Sequence, residues 1–117
     1  MNERYIRQTM IPGIGEAGQE KLKNAKVLIV GIGGLGSPIS LYLTAAGVGQ
    51  IGLIDDDIVS KSNLQRQILY TEAEIGQSKV ECACRRLSAL NSSTRFETYP
   101  NRFTPDNANR LVSAYDI

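Results

Sequence analysis

The chain contains no histidine and only two cysteines among its 117 residues. Without histidine, this segment offers neither a histidine base nor a histidine metal ligand. Cys82 and Cys84 lie two positions apart on a predicted helix and therefore point to different faces, which argues against a disulfide between them. Two cysteines at that spacing also make a poor zinc site. We therefore expect both to be ordinary small side chains, and we expect no metal site within this segment.

The chain also lacks a long apolar run and an excess of charge. No stretch of about 18 apolar residues is present, and nothing resembles a charged and apolar leader with small residues at its end. The 13 basic and 12 acidic residues nearly balance, so bulk positive charge does not favour a nucleic acid or an anionic membrane as a partner. We expect a cytoplasmic protein that contacts neither.

The most informative segment is a glycine-rich loop that follows a short apolar run. Residues 27–30 read as a buried parallel strand, and Gly31, Gly33 and Gly36 after it fit the GxGxxG pattern of a strand-to-helix nucleotide loop. Glycine allows the tight turn, the approach of a phosphate to the backbone, and close packing of the next helix on the sheet. The start of that helix presents N–H groups and a positive dipole end to an anion.

The helix after the loop and the strand after the helix complete a nucleotide-binding unit. Ser37 and Pro38 suit the first turn of a helix. Apolar residues then recur at helical spacing, and we expect them to pack on the sheet: Ile39, Tyr42, Leu43 and Ala46. Gly47 ends the helix. Residues 51–54 read as a second buried strand, and Asp55 follows at its carboxyl end, where βαβ folds bind ribose hydroxyls. The pattern predicts binding of an adenine nucleotide.

The rest of the chain alternates polar segments with further elements. Residues 4–9 and 16–24 read as short helices before the first strand, and residues 56–67 as a functional loop. Thr71 with Glu74, and Ser78 with Glu81, have the spacing of capping boxes and predict two helix starts. The second of these helices has one apolar face: Val80, Ala83, Cys84, Leu87 and Leu90. A third strand is expected over residues 94–99.

A last helix is expected from Pro105, with Thr104 as its cap and with Ala108, Leu111 and Val112 facing inward. The order of elements predicts an α/β fold, a Rossmann-like parallel sheet with helices on both faces, preceded by short helices and shorter than a full doubly wound domain. We assign residues 1–25 to the helices and 26–117 to the nucleotide-binding core of one domain.

Cations and amides collect in the loop after Asp55. Arg66, with Lys79 at the start of the next helix, is placed to reach a triphosphate over the glycine loop, and Asn63 and Gln67 offer neutral donors. Such donors stabilise charge that moves during phosphoryl or nucleotidyl transfer. The glycine loop and Asp55 alone do not distinguish ATP from NAD, so a plain dinucleotide-binding domain is an alternative. A non-catalytic scaffold that keeps the fold only to bind a partner protein is a second alternative.

Six short motifs occur in this order along the chain: Arg4-Tyr5-Ile6-Arg7-Gln8, Gly31-Ile32-Gly33-Gly34-Leu35-Gly36, Ala46-Gly47-Val48-Gly49, Asp55-Asp56-Asp57, Ser62-Asn63-Leu64-Gln65-Arg66-Gln67, and Gly76-Gln77-Ser78-Lys79. Together they closely resemble the ThiF/MoeB/HesA family, bacterial relatives of the ubiquitin-activating enzymes. The resemblance makes a ubiquitin-like protein the partner in the scaffold alternative. The triple acid and Ile68-Leu69-Tyr70-Thr71 look more like the thiamine-pathway ThiF branch than the molybdopterin MoeB branch.

The resemblance implies an adenylyltransferase that uses ATP with Mg²⁺. In such enzymes the C-terminal glycine carboxylate of a ubiquitin-like sulfur carrier protein attacks the α-phosphate. Carried over by position, Gly34 would line the nucleotide, Asp55 would contact the ribose, and Asp57 would be a polar neighbour. Asn63, Arg66 and Lys79 would contact the phosphates. Arg7 would act across a homodimer interface on the partner's ATP, and we expect a catalytic role for Arg66, Lys79 and Arg7.

The same resemblance places several family features after residue 117. These are the carboxylate ligand of Mg²⁺, the cysteine pairs of a structural Zn²⁺ and any sulfur-handling cysteine; Cys82 and Cys84 match none of them. Tyr115-Asp116-Ile117 resembles the opening of another strand. We therefore expect this segment to be the nucleotide-binding part of a longer enzyme, and to be inactive by itself.

Overall fold

The computed structural model describes residues 3–117. After a 3-10 helix at Glu3–Tyr5, five α-helices and three β-strands follow: α1 (Ile6–Thr9), α2 (Gly15–Asn24), β1 (Lys26–Val30), α3 (Gly36–Ala46), β2 (Gln50–Ile54), α4 (Lys79–Leu90), β3 (Arg95–Tyr99) and α5 (Pro105–Val112). Two more 3-10 helices, Lys61–Asn63 and Glu72–Glu74, lie between β2 and α4. The sequence placed each strand and each of these α-helices within a few residues of its observed bounds.

The three strands form one parallel sheet in the order β1-β2-β3. α3 connects β1 to β2, and α4 connects β2 to β3, in the same direction across the sheet. Because such connections are right-handed, both helices lie on the same face of the sheet. The two helices contact each other there. The core lies under them and includes Ile29, Ile51, Leu53, Val80 and Leu87, which are almost fully buried. Because the strands are parallel, the loops that follow β1, β2 and β3 meet at one edge of the sheet.

The opposite face of the sheet is covered by the end of the described chain. A Cβ at Gly52 would collide with the Tyr115 ring, whose hydroxyl lies 2.9 Å from that of Tyr99. Residues 116 and 117 run beside β1, where the Leu28 N–H donates to the Ile117 carbonyl at 2.8 Å. The predicted Rossmann-like α/β class is confirmed, and residues 116–117 pair with β1 as the opening of a strand would. The division into residues 1–25 and 26–117 stays a prediction.

The predicted inner face of α3 is wrong in part. Ile39 and Tyr42 are 47% and 76% exposed, whereas Ser37, Ser40 and Thr44 are fully buried. Leu43 and Ala46 are half-buried. The helical spacing was right but its phase was not: the small residues Ser37, Ser40 and Thr44 face inward, together with the half-buried Leu41 and Leu43, which pack against the core. The buried Ser40 hydroxyl donates to the Ser37 carbonyl at 2.9 Å, so its hydrogen-bond donor has a partner within the helix.

Of the two predicted capping boxes one forms and one does not, and Val112 does not face inward as predicted. Thr71 donates to the Glu74 carboxylate through its N–H at 2.9 Å, and this box caps the short 3-10 helix Glu72–Glu74. Ser78 precedes α4 without a capping hydrogen bond from its side chain. Val112 is 54% exposed, while Leu111 is buried, because α5 is short and amphipathic.

The expectations for Thr104 and for the two cysteines are met. Thr104 caps α5, with its N–H donating to the Asn107 side chain at 2.9 Å. Cys82 is buried, Cys84 is half-buried, and both thiols are free. Among residues 3–117, no helix is long and apolar enough to cross a bilayer.

Candidate functional site

The glycine loop leaves β1 in a conformation that needs glycine at two places. Gly31 has φ +86°, in the left-handed region that L side chains rarely adopt. A Cβ at Gly36 would collide with the Gly31 carbonyl oxygen, since the helix begins directly beneath the turn. At Gly33 and Gly34 a side chain would cause no collision. A Cβ at Gly33 would lie 3.5 Å from Gln67 Nε2, and one at Gly34 would lie 3.8 Å from Arg66 Cδ, so these two side chains face this part of the loop.

Asp55 connects the end of β2 to this loop. One carboxylate oxygen accepts from the Ile32 N–H at 2.8 Å, and the other accepts from the Asp57 N–H at 2.8 Å. The side chain is half-buried at the edge of the sheet. Each carboxylate oxygen can accept a second hydrogen bond, so the predicted ribose contact is compatible with the two backbone contacts.

Tyr70 is a part of the site that the sequence reasoning did not single out. Its side chain is buried, and its hydroxyl donates to the Ile32 carbonyl at 2.6 Å. Burial, followed by the nearby Asp55 carboxylate, raises the pKa of the Tyr70 hydroxyl, so the group stays protonated. The available signal was the apolar pair Leu69-Tyr70 at the end of a polar loop.

The segment before Tyr70 folds into a tight turn that carries Arg66 and Gln67 to the glycine loop. The Ser60 N–H donates to Asn63 Oδ1 at 3.0 Å, and the Gln67 N–H donates to the Asn63 carbonyl at 2.8 Å. The Asn63 side chain therefore holds the turn. Arg66 donates to the Ser62 carbonyl at 3.1 Å and lies exposed beside Gly34. Gln67 is 4% exposed, and its Oε1 is buried without a hydrogen-bond partner.

Lys79 and the acidic triple lie next to this group. Lys79 is 4% exposed, its Nζ lies 3.8 Å from Asp57 Oδ2, and its N–H donates to the Asp57 carbonyl at 3.1 Å. Asp56 pairs with Arg102 at 3.9 Å. Although oxygens of Asp55, Asp56 and Asp57 lie within 4.8 Å of one another, each carboxylate already faces a donor or a cation.

A shallow cleft opens at the carboxyl ends of the strands, beside Asp55. Its walls include Val30, Gly31 and Ile54 on one side and Asn101, Arg102 and Phe103 on the other. The sequence reasoning missed these last three residues. Their position directly after β3 was the only signal, because the loop after a third parallel strand ends at the same edge as the first two.

Arg7 lies away from all of these groups. It is exposed on α1, which is tied to the far end of α3 by a hydrogen bond from Gln8 Nε2 to the Ala46 carbonyl at 3.0 Å. The glycine loop precedes the other end of α3, about 15 Å away for an 11-residue helix. The structure thus brings together the glycine loop, Asp55, Arg66 and Gln67, places the Asp57–Lys79 pair beside them, and separates Arg7.

Comparison with known proteins places this geometry in a family. The model of the ThiF family matches residues 5–117. The sulfur carrier protein adenylyltransferase of Thermus thermophilus is 49% identical over 115 residues, which cover 98% of this chain and 42% of that protein. The adenylyltransferase and sulfurtransferase MOCS3 of Mus musculus is 48% identical over 114 residues, which cover 97% of this chain and 25% of that protein. The chain therefore spans less than half the length of these curated relatives.

Solved structures show the same fold. The E. coli tRNA N6-threonylcarbamoyladenosine dehydratase TcdA superposes with a TM-score of 0.83 at 34% identity, over 86% of this chain and 43% of TcdA. E. coli MccB, solved with ATP, superposes with a TM-score of 0.71 at 33% identity, over 80% of this chain and 34% of MccB.

The contacts of Asp55 predict a double effect of its loss. In the full-length protein, Asp55→Ala should weaken ATP binding at least about tenfold and lower the free energy of unfolding by about 2 kcal/mol, because hydrogen bonds to a charged acceptor are lost. Urea unfolding measures the change in stability, and calorimetric titration with ATP measures the change in binding.

Asp116→Ala is a matched control. The Asp116 carboxylate accepts a hydrogen bond of 2.9 Å from the Lys26 N–H, and this contact lies far from the site. It should lower stability and leave ATP binding unchanged. Unchanged ATP affinity in Asp55→Ala would contradict this assignment.

Proposed function

The chain belongs to the ThiF family, and on that basis we propose that the protein containing it is an ATP-dependent adenylyltransferase acting on a ubiquitin-like sulfur carrier protein. The observation that carries the proposal is the position of Arg66 and Gln67 over Gly33 and Gly34. A cation and an amide that face the glycines of a nucleotide loop suit a polyphosphate. The names of the curated relatives support the same class of reaction.

In the proposed reaction, the C-terminal glycine carboxylate of the carrier attacks the α-phosphorus of ATP. A new P–O bond forms to the carboxylate oxygen, the bond from the α-phosphorus to its bridging oxygen breaks, and pyrophosphate leaves. Because the carrier supplies the nucleophile, the segment needs no histidine or cysteine for this step. Its own residues bind and orient the nucleotide. Arg66 stabilises the negative charge that develops on the phosphoryl oxygens, the usual work of cations in such sites.

We assign the other side chains by their neighbours. The two backbone contacts of Asp55 hold it facing the cleft, where it receives the ribose hydroxyls. Lys79 contacts the phosphates, and Asp57 holds its ammonium group at the edge of the sheet until ATP arrives. Gln67 is buried beside Gly33, and we assign its amide to the surface that binds the nucleotide. Asn63 acts through the turn that it caps.

The three acidic side chains after β2 lie close enough together to hold a metal ion, since oxygens of Asp55, Asp56 and Asp57 lie within 4.8 Å of one another. Asp55 accepts from two backbone N–H groups, while Asp56 and Asp57 pair with Arg102 and Lys79. On the family resemblance we propose that the carboxylate ligand of the Mg²⁺ that accompanies ATP, and the ligands of any structural Zn²⁺, lie outside residues 3–117. No step assigned to the residues above depends on either ion.

Two features favour a particular pathway and cellular setting. The triple acid and Ile68-Leu69-Tyr70-Thr71 support a carrier that delivers sulfur to the thiazole of thiamine, with a carrier for molybdopterin as the alternative. The near balance of charge argues against a nucleic acid or an anionic membrane as a partner, and we propose action in the cytoplasm. A NAD-binding domain is the weaker proposal, because the curated relatives are named adenylyltransferases.

The proposed activity predicts carrier-dependent exchange of labelled pyrophosphate into ATP by the full-length protein. The assay uses purified thiamine-type and molybdopterin-type carriers in separate reactions, and the carrier that supports exchange identifies the pathway. A carrier that lacks its terminal glycine is the control and should give no exchange. Absence of exchange with both intact carriers, or tighter binding of NAD than of ATP, would contradict the proposal. Carrier binding without exchange would favour a scaffold.

We further propose that the protein is a homodimer in which Arg7 acts on the partner's ATP. Arg7 is exposed on α1, which contacts the end of α3 that lies far from the glycine loop of the same chain. Its neighbours Ile6 and Met10 are 42% and 64% exposed, and such apolar residues beside an arginine suit an interface.

Mixing two inactive variants tests this arrangement. An Arg7→Ala subunit keeps its own loop and Arg66, while an Arg66→Ala subunit keeps Arg7, so each mixed dimer has one complete site. After full subunit exchange, the mixture should recover about one quarter of wild-type pyrophosphate exchange, as random pairing in a twofold dimer requires. Each variant alone should be slowed on the order of 100-fold. A mixture that is as inactive as its parents, with exchange of subunits verified by mass spectrometry, would show that Arg7 serves its own chain or the surface.

A further inference from the structure

Ile32, in the glycine loop, is held by two side chains from distant parts of the sequence. Its N–H donates to the Asp55 carboxylate at 2.8 Å, and its carbonyl accepts from the Tyr70 hydroxyl at 2.6 Å. The Ile32 side chain is itself fully buried. The residue therefore has little freedom to change its backbone conformation, although it has a glycine on either side.

The contact from Tyr70 determines the direction of the next N–H group. Ile32 C=O and Gly33 N–H belong to the same peptide unit, and in a planar trans peptide they point in opposite directions. Tyr70 holds the carbonyl from the buried side, so the Gly33 N–H points away from Tyr70 and toward the outer surface of the loop. Gly33 and Gly34 lack a Cβ, and without this contact the peptide could rotate at low cost.

Tyr70 also belongs to the segment that supplies the other half of the site. Its N–H donates to the Gln67 carbonyl at 3.3 Å, so the turn that carries Arg66 and Gln67 ends at the residue that holds the loop. The ring is 5% exposed and does not reach the surface that a nucleotide would touch. Its raised pKa keeps the hydroxyl a donor over the physiological range of pH.

We propose that Tyr70 is a positioning residue that orients the Ile32–Gly33 peptide so that the Gly33 N–H donates to a phosphate of the nucleotide. The proposal rests on the function proposed above. It assigns to Tyr70 an effect on phosphate recognition alone, because the hydroxyl contacts the loop and neither Asp55 nor the cleft beside Asn101. Orienting the donor before binding reduces the ordering cost of recognition.

The test compares two hydroxyl deletions in the full-length protein. Tyr70→Phe removes the contact to Ile32. Tyr115→Phe removes a hydroxyl pair with Tyr99 on the other face of the sheet and is the matched control. In the absence of nucleotide, hydrogen exchange at the amides of residues 32–35 should accelerate in Tyr70→Phe and stay at the wild-type rate in Tyr115→Phe. This measurement does not depend on activity, so it remains informative even if the protein proves not to be an adenylyltransferase.

Ligand binding supplies the second measurement. Tyr70→Phe should weaken ATP binding about tenfold, the loss of roughly one hydrogen bond to a charged group, and leave adenosine binding unchanged. A tyrosine analogue with an amino group in place of the hydroxyl at position 70 should restore ATP affinity.

Three results would overturn the proposal: unchanged loop exchange in Tyr70→Phe, equal losses for ATP and adenosine, or the same ATP loss in Tyr115→Phe. Failure of wild-type protein to exchange pyrophosphate would instead count against the proposed function, which is measured separately. The loop measurement would still decide whether Tyr70 orients the peptide.

Discussion

The hydrogen bonds of the Asp55 carboxylate hold the geometry of this site together. A parallel sheet brings the ends of β1 and β2 to one edge, but the loops that leave them need a direct link to form a single surface. Asp55 supplies it by accepting from Ile32 in the glycine loop and from Asp57 in its own loop. Asp57 in turn pairs with Lys79, so the positions of the glycine loop, the acidic triple and the buried lysine all depend on this carboxylate.

A second constraint is the close contact between α3 and the sheet. Gly36 lies against the Gly31 carbonyl, and Ser37, Ser40 and Thr44 fill the buried face of the helix. Small residues keep the helix start close under the glycine loop, where its N–H groups and dipole act on an anion. Two large apolar residues of α3 consequently face outward, with Ile39 47% and Tyr42 76% exposed, whereas Leu41 and Leu43 are half-buried against the core.

Local sequence patterns were sufficient to predict much of the fold of this protein. The apolar runs, the glycine spacing and the acid after β2 predicted the strands, the loop and the place of Asp55, since each depends on residues close in the sequence. The position of Arg66 over Gly34 also followed from the polar loop. Other features depend on partners far apart in the chain. Tyr70 and Ile32 are 38 positions apart, and the phase of α3 depends on how closely it meets β1. Asn101, Arg102 and Phe103 carry no motif and join the cleft only through the topology of the sheet.

We propose that the surface formed by the glycine loop, Asp55 and Arg66 binds the phosphates and ribose of ATP. A crystal structure of the full-length protein with a non-hydrolysable ATP analogue would test this binding mode. We expect phosphate oxygens within hydrogen-bond distance of the Gly33 N–H and the Arg66 guanidinium, with the ribose hydroxyls at Asp55. Well-defined analogue at another place, such as the cleft lined by Tyr5, Lys23 and Thr94 at the opposite end of α3, with the glycine loop empty, would contradict it.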